Sequence, residues 1–63
     1  MDFSGKNVVV TGAGSGIGYA VARQLAMDGA AVALLDVNPA AAEANAQRIR
    51  EEGLIALAIA ADV

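Results

Sequence analysis

Eight consecutive residues, Thr11-Gly12-Ala13-Gly14-Ser15-Gly16-Ile17-Gly18, place a glycine at every second position between a β-branched run, Val8-Val9-Val10, and the helix-forming segment Tyr19-Ala20-Val21-Ala22. Strand, tight turn and helix start are the local structures such a pattern dictates. The first N–H groups of a helix have no intrahelical partner and lie at the positive end of its dipole. A diphosphate can sit against them where no side chain stands in the way, and glycine removes that obstacle. A second chemical group follows about twenty residues later. Asp36 closes the apolar run Ala30-Ala31-Val32-Ala33-Leu34-Leu35, and a carboxylate at the C-terminal edge of a buried parallel strand is placed to accept hydrogen bonds from ribose hydroxyls.

The spacing is specific. The general dinucleotide fingerprint G-x-G-x-x-G fails, because Ile17 or Tyr19 falls where its last glycine belongs. Thr-Gly-x-x-x-Gly-x-Gly does fit, and TGAGSGIG in this context resembles the short-chain dehydrogenase/reductase family. That resemblance covers essentially the whole chain and about the first quarter of a typical member. It implies a cofactor site made of Gly12, Gly14, Ser15, Gly16, Ile17 and Gly18, with Asp36 and its neighbour Val37 at the ribose. It also implies that Asp62 accepts from the adenine amino group, with Val63 against the ring. Asp36 would repel a 2′-phosphate with no Arg or Lys nearby to offset it, and Ser15 stands where NADP-preferring members often carry a basic residue. NAD is therefore the expected cofactor, ahead of NADP.

The elements that must position these residues read in order. Lys6–Thr11 is expected as a first strand, whose unbroken valines imply burial on both faces. A helix from about Ile17 to Asp28 puts Val21, Ala22, Leu25 and Ala26 on one face with Gly18 among them. Gly18 is thus assigned to close helix packing more than to phosphate contact. Gly29 ends that helix as a left-handed cap. Ala30–Asp36 is a second strand. Asn38 caps, and Pro39 opens, a helix running to Glu52 with Ala42, Ala46 and Ile49 as its apolar stripe and an Arg48–Glu52 pair on its surface. Leu54–Ala60 is a third strand with Ile55, Leu57 and Ile59 on one side and alanines on the other. The fold class is α/β, a three-stranded parallel βαβαβ half of a Rossmann-type doubly wound fold. Residues 1–63 form a partial dinucleotide-binding domain that stops after the third strand.

Composition narrows the function. A net charge of −3 disfavours nucleic acid and anionic membranes. No cysteine or histidine is present, so disulfides and thiolate metal sites are excluded, and the adjacent acids Glu51 and Glu52 read as solvated surface, leaving no metal site. No apolar run reaches the roughly 18 residues of a membrane span. The glycine-rich segment after Lys6 makes a poor signal peptide, and a cytoplasmic location is expected.

All the recognisable chemistry concerns holding a cofactor. In the family, reaction depends on a later Tyr-x-x-x-Lys acting with a Ser, and on an Asn-Ala-Gly segment after the fourth strand; neither Tyr-x-x-x-Lys nor Asn-Ala-Gly occurs here, so the chain alone is expected to be inactive. Tyr19 and Arg23 mimic that one-turn spacing, but on the helix that carries the phosphate loop, and Tyr19 is assigned to packing. Two crossovers in one direction give strand order 3-2-1 with both helices on one face. The other face is bare and the first strand becomes an edge. The expected partners are the dinucleotide and either the remainder of the enzyme or a second copy covering that face, the parent being a homo-oligomer. The parent reaction would be hydride transfer between nicotinamide and an alcohol or ketone. Two other classes stay open: a non-catalytic nucleotide-binding module, and an interaction remnant that dimerises through its uncovered sheet.

Overall fold

A computed structural model describes residues 3–60. The chain runs β1 (Asn7–Thr11), α1 (Gly16–Met27), β2 (Ala31–Asp36), α2 (Pro39–Glu51) and β3 (Ala56–Ala60). The three strands form one parallel sheet in the order β1-β2-β3, the linear 3-2-1 arrangement expected. Each strand begins one or two residues later than the sequence suggested. Strand starts are set by where ladder pairing begins: Asn7 stands opposite Ala31 and Val32 opposite Ala56. Asp62 and Val63, the expected adenine contacts, lie outside the described residues.

Both helices pack on β2 and touch each other, so they share one face. The strand pleat then sorts the side chains. Val8, Val10, Val32, Leu34, Ala56 and Ala58 point under the helices and are buried or half-buried. Against them lie Ala22, Ala26, Ala42, Ala46 and Ile49, all buried, with Leu34 and Ile49 the largest side chains fully removed from water. Alanine on the helix faces allows the helices to sit close to the sheet. The apolar stripe of α2 is the one expected. In α1 the buried residues are Gly18, Ala22 and Ala26, while Val21 is 47% exposed and lies at the margin of that face.

The opposite sheet face is uncovered. Register places Val9, Ala33 and Leu57 in one row and Thr11, Leu35 and Ile59 in the next. Val9 is 60% and Leu57 57% exposed. The valine run of β1 is therefore buried on one side only, contrary to the two-sided burial its composition suggested, because these residues supply a single helical layer.

The lead-in is tied down. Phe3 packs against the core, its N–H donates to Asp28 O at 2.7 Å, and Lys6 N–H donates to Phe3 O at 2.9 Å. Gly29 ends α1 at φ 103°, the left-handed cap expected. Glu52 does not pair with Arg48. It receives Arg23 Nε and Nη2, each at 2.7 Å, which fastens α1 to the end of α2. Arg48 lies over the Tyr19 ring, 5.6 Å from its centre, and Tyr19 is half-buried as a packing residue. Among the described residues, no helix is long and apolar enough to cross a membrane.

Candidate functional site

The glycine loop leaves β1 at Thr11 and enters α1 at Gly16. Its four glycines are there for different physical reasons. Gly12 sits at φ 66°, a conformation costly for residues with a Cβ. At Gly18 a Cβ would lie 2.8 Å from Ala13 Cα and from the Gly12 carbonyl carbon, and closer still to the Gly12 oxygen. The close packing expected of Gly18 is present, but against the backbone of the loop that folds back over α1, not against the strand itself. At Gly14 a Cβ would come within 2.8 Å of Ala41 Cβ and 2.9 Å of Asp36 Cγ and Oδ2. Glycine here lets the first turn of α2 and the end of β2 close on the loop.

Gly16 is different. A Cβ there would meet no protein atom within 4 Å, so neither packing nor backbone conformation of the chain requires glycine at the first position of α1. What its missing side chain leaves clear is the space in front of the helix start.

The hydrogen bonds decide which amides face that space. Ala13 N–H donates to Leu35 O at 3.2 Å and Ser15 N–H to Gly12 O at 3.1 Å. Gly14 N–H donates to Asp36 Oδ2 at 2.8 Å. Ser15 is the N-cap of α1: its Oγ accepts from Gly18 N–H at 3.1 Å and donates to Gly12 O at 2.8 Å. The Ser15 hydroxyl proton is thus engaged within the loop. Gly12, Gly16 and Ile17 remain: among the described residues nothing accepts from their N–H groups, and of the three Gly16 and Ile17 open α1. Two free amides at a helix start, with the dipole behind them and no side chain in front, form an anion cradle. Among the described residues, no side chain comes within 4 Å of where a Gly16 Cβ would be.

Asp36 sits half-buried at the end of β2, with Val37 79% exposed beside it. Its Oδ1 accepts from Asn38 N–H and its Oδ2 from Gly14 N–H, both at 2.8 Å. These two bonds, the Asn38 one foremost, hold the carboxyl below the usual aspartate range. A carboxylate has about four lone-pair positions, so Asp36 keeps acceptor capacity for a diol while bracing the loop. Ile17, 82% exposed, lies at the mouth of a groove of about 540 Å³ that runs along the unpaired edge of β1 between Val9, Thr11, Gly12 and Val21.

Of the expected site residues, the fold brings Gly12, Gly14, Ser15, Gly16, Ile17, Gly18, Asp36 and Val37 to the C-terminal ends of β1 and β2. One participant escaped the sequence reading. Asn45, on α2, donates its Nδ2 to Ala13 O at 2.8 Å. The signal was available: a short amide side chain, a weak helix former, stands beside the buried stripe of an alanine-rich helix.

Comparison with known proteins identifies the family. The family model described as short chain dehydrogenase matches residues 6–63. The 2,3-dihydro-2,3-dihydroxybenzoate dehydrogenase of Bacillus subtilis is 48% identical over 59 residues, covering 94% of this chain and 23% of that protein. Among solved structures, a dehydrogenase from Beutenbergia cavernae with NADP bound at low occupancy superposes with a TM-score of 0.90 at 39% identity, covering 97% of this chain and 24% of that one. An oxidoreductase from Haemophilus influenza with bound NAD gives 0.91 at 36% identity, over 97% and 22%. The chain thus spans about a quarter of the length of these relatives. Over that span, with its strand order, its glycine loop and its sequence all in agreement, the chain belongs to the short-chain dehydrogenase family.

Proposed function

We infer that the chain is the NAD(H)-holding part of a short-chain dehydrogenase, a partial dinucleotide-binding domain whose parent exchanges hydride with an alcohol or ketone. The observation that carries this reading is the pair of free amides at Gly16 and Ile17, fronted by a glycine that neither packing nor backbone conformation requires. These amides would hold the diphosphate. Asp36 would take the ribose hydroxyls, with Val37 beside it, and Asp62 and Val63 would hold the adenine. When bound, the nicotinamide supplies a hydride acceptor or donor. Every residue named here binds or orients, and none moves a proton, so the chain by itself is expected to show no turnover.

Relatives with this fold hold either NADP or NAD, and the preference of this chain rests on its own Asp36. A second negative charge beside that carboxylate is unfavourable, and among the described residues no ion pair reaches it. The test is calorimetric titration of NAD and NADP against the chain and against Asp36→Ala. NAD is expected to bind more tightly than NADP, with the ratio collapsing in the variant. Equal affinity of the parent chain for both cofactors would remove Asp36 as the selector, and no binding of either would remove the function.

The uncovered sheet face supports the partner reading. Val9, Ile55, Leu57 and Ile59 are 40–67% exposed, an apolar area that the remainder of the enzyme, or a second copy, would cover.

A further inference from the structure

The Ala13–Gly14 peptide is gripped at both polar ends by groups from outside the loop. Its carbonyl oxygen accepts from Asn45 Nδ2 at 2.8 Å, across 32 residues of sequence. Its N–H donates to Asp36 Oδ2, also at 2.8 Å, across 22. A carbonyl can only accept, so the Asn45 atom that meets it is the nitrogen. Turned over, this peptide would aim its carbonyl at the Asp36 carboxylate, setting acceptor against acceptor. Asp36 therefore selects the orientation of the peptide, and Asn45 Nδ2 holds the carbonyl in it. Ala41, one turn before Asn45, closes the same side, since its Cβ lies within 2.8 Å of where a Gly14 Cβ would be.

Gly16 and Ile17, whose amides are free, follow this clamped peptide after Ser15, itself held by its bonds to Gly12 O. Their direction depends on the path the chain takes from Ala13. Asparagine is a poorer helix former than the alanines around it, and its place in α2 is accounted for by the bond it makes to the loop.

We propose that Asn45 is a positioning residue for the dinucleotide, acting through the Ala13–Gly14 peptide so that the Gly16 and Ile17 amides already face a diphosphate before it arrives. Preorganisation of this kind raises affinity by removing the cost of ordering the loop at the moment of binding. The role of Asn45 rests on the nucleotide-binding reading above, and its selectivity is specific: it concerns the phosphates and not the nucleoside.

The experiment titrates ADP-ribose and adenosine separately against the chain, Asn45→Ala and Asn45→Asp, and follows exchange of the Gly14 amide proton by NMR. Asn45→Ala frees the Ala13 carbonyl; Asn45→Asp keeps the shape and sets a carboxylate against it. ADP-ribose is expected to bind about tenfold more weakly to Asn45→Ala, the effect of one net hydrogen bond, and more weakly again to Asn45→Asp. Adenosine, which has no phosphate, is expected to bind all three alike, and Gly14 exchange is expected to quicken in both variants. Equal weakening of the two ligands overturns the proposal in favour of a merely structural role, as does undiminished ADP-ribose affinity in both variants. A parent chain that binds neither ligand overturns the nucleotide reading and the positioning role together, whereas tight binding by parent and variants alike overturns the positioning role alone.

Discussion

Replacing Gly18 by alanine tests the packing of the glycine loop in a way that helix propensity alone predicts with the opposite sign. Alanine in a helix interior is favoured over glycine by about 0.8–1.0 kcal/mol, so a helix read in isolation would gain stability. In the folded chain the new Cβ lies 2.8 Å from Ala13 Cα and from the Gly12 carbonyl carbon, and nearer to the Gly12 oxygen. These are backbone atoms, and no side-chain rotation relieves the contact. Ordinary carbon–carbon separations of about 3.5–4.0 Å require the loop and α1 to part by more than half an ångström. Overpacking of this kind costs about 1–3 kcal/mol, which offsets the propensity gain and leaves Gly18→Ala destabilised by up to about 2 kcal/mol. Gly18→Val, with two further carbons, belongs at the upper end of that range or above it. A chain of this size has a total stability on the order of 3–9 kcal/mol, and each kcal/mol moves its midpoint by about 4–8 °C. Gly16→Ala is the matched control, because its Cβ meets no protein atom within 4 Å. It is expected to leave the melting temperature unchanged or raise it by a few degrees, the sign helix propensity gives where no contact opposes it, and to weaken ADP-ribose binding, since its methyl group enters the space before the free amides. Thermal denaturation followed by circular dichroism reads both variants. A Gly18→Ala chain that melts at or above the parent would refute the packing role, whatever Gly16→Ala does.

Two further expectations follow from the charges and from the sheet. Asp36 and Glu52 are both held below their ordinary carboxyl values, Asp36 by the Asn38 and Gly14 amides and Glu52 by the Arg23 guanidinium. The folded state therefore binds their protons less readily than the unfolded state, and the stability they add is present above the unfolded values, near pH 4, and lost as the pH falls through the folded ones. The urea midpoint should be level between about pH 5 and 7 and fall below about pH 4; a midpoint that rose on acidification would contradict the assignment. Leu57 is 57% exposed on the bare face, so Leu57→Lys should leave thermal stability close to that of the parent, within about 0.5 kcal/mol, while reducing concentration-dependent association in sedimentation velocity. Unaltered association would place the contact elsewhere.

Most of the architecture was legible because it is local. The β-branched runs, the alanine stripe at helical spacing, the cap at Asn38, and Gly29 past the end of α1 each follow from a few neighbouring residues and their backbone preferences; the cap at Ser15 came only with the structure. The bare face followed from the direction of the two crossovers. The misjudgements concern pairs that sequence proximity suggests and tertiary packing overrides. Arg48 and Glu52 have helical spacing, but Glu52, capping α2, lies where Arg23 of α1 can reach it with two nitrogens. The valines of β1 look like a strand covered on both sides, but the sheet of this chain carries one helical layer, and Val9 stays exposed.

The sequence by itself determined that a glycine-rich turn would join a strand to a helix and that a carboxylate would stand at the end of the next strand, because glycine spacing, apolar runs and capping residues act on their immediate surroundings. Only the tertiary structure decided which amides of that turn are free. Backbone N–H groups are chemically alike along the loop, and their availability depends on the acceptors that distant segments deliver: Leu35 to Ala13 and Asp36 to Gly14, with Asn45 taking the carbonyl between them. What those contacts leave open, at Gly16 and Ile17, is the cradle.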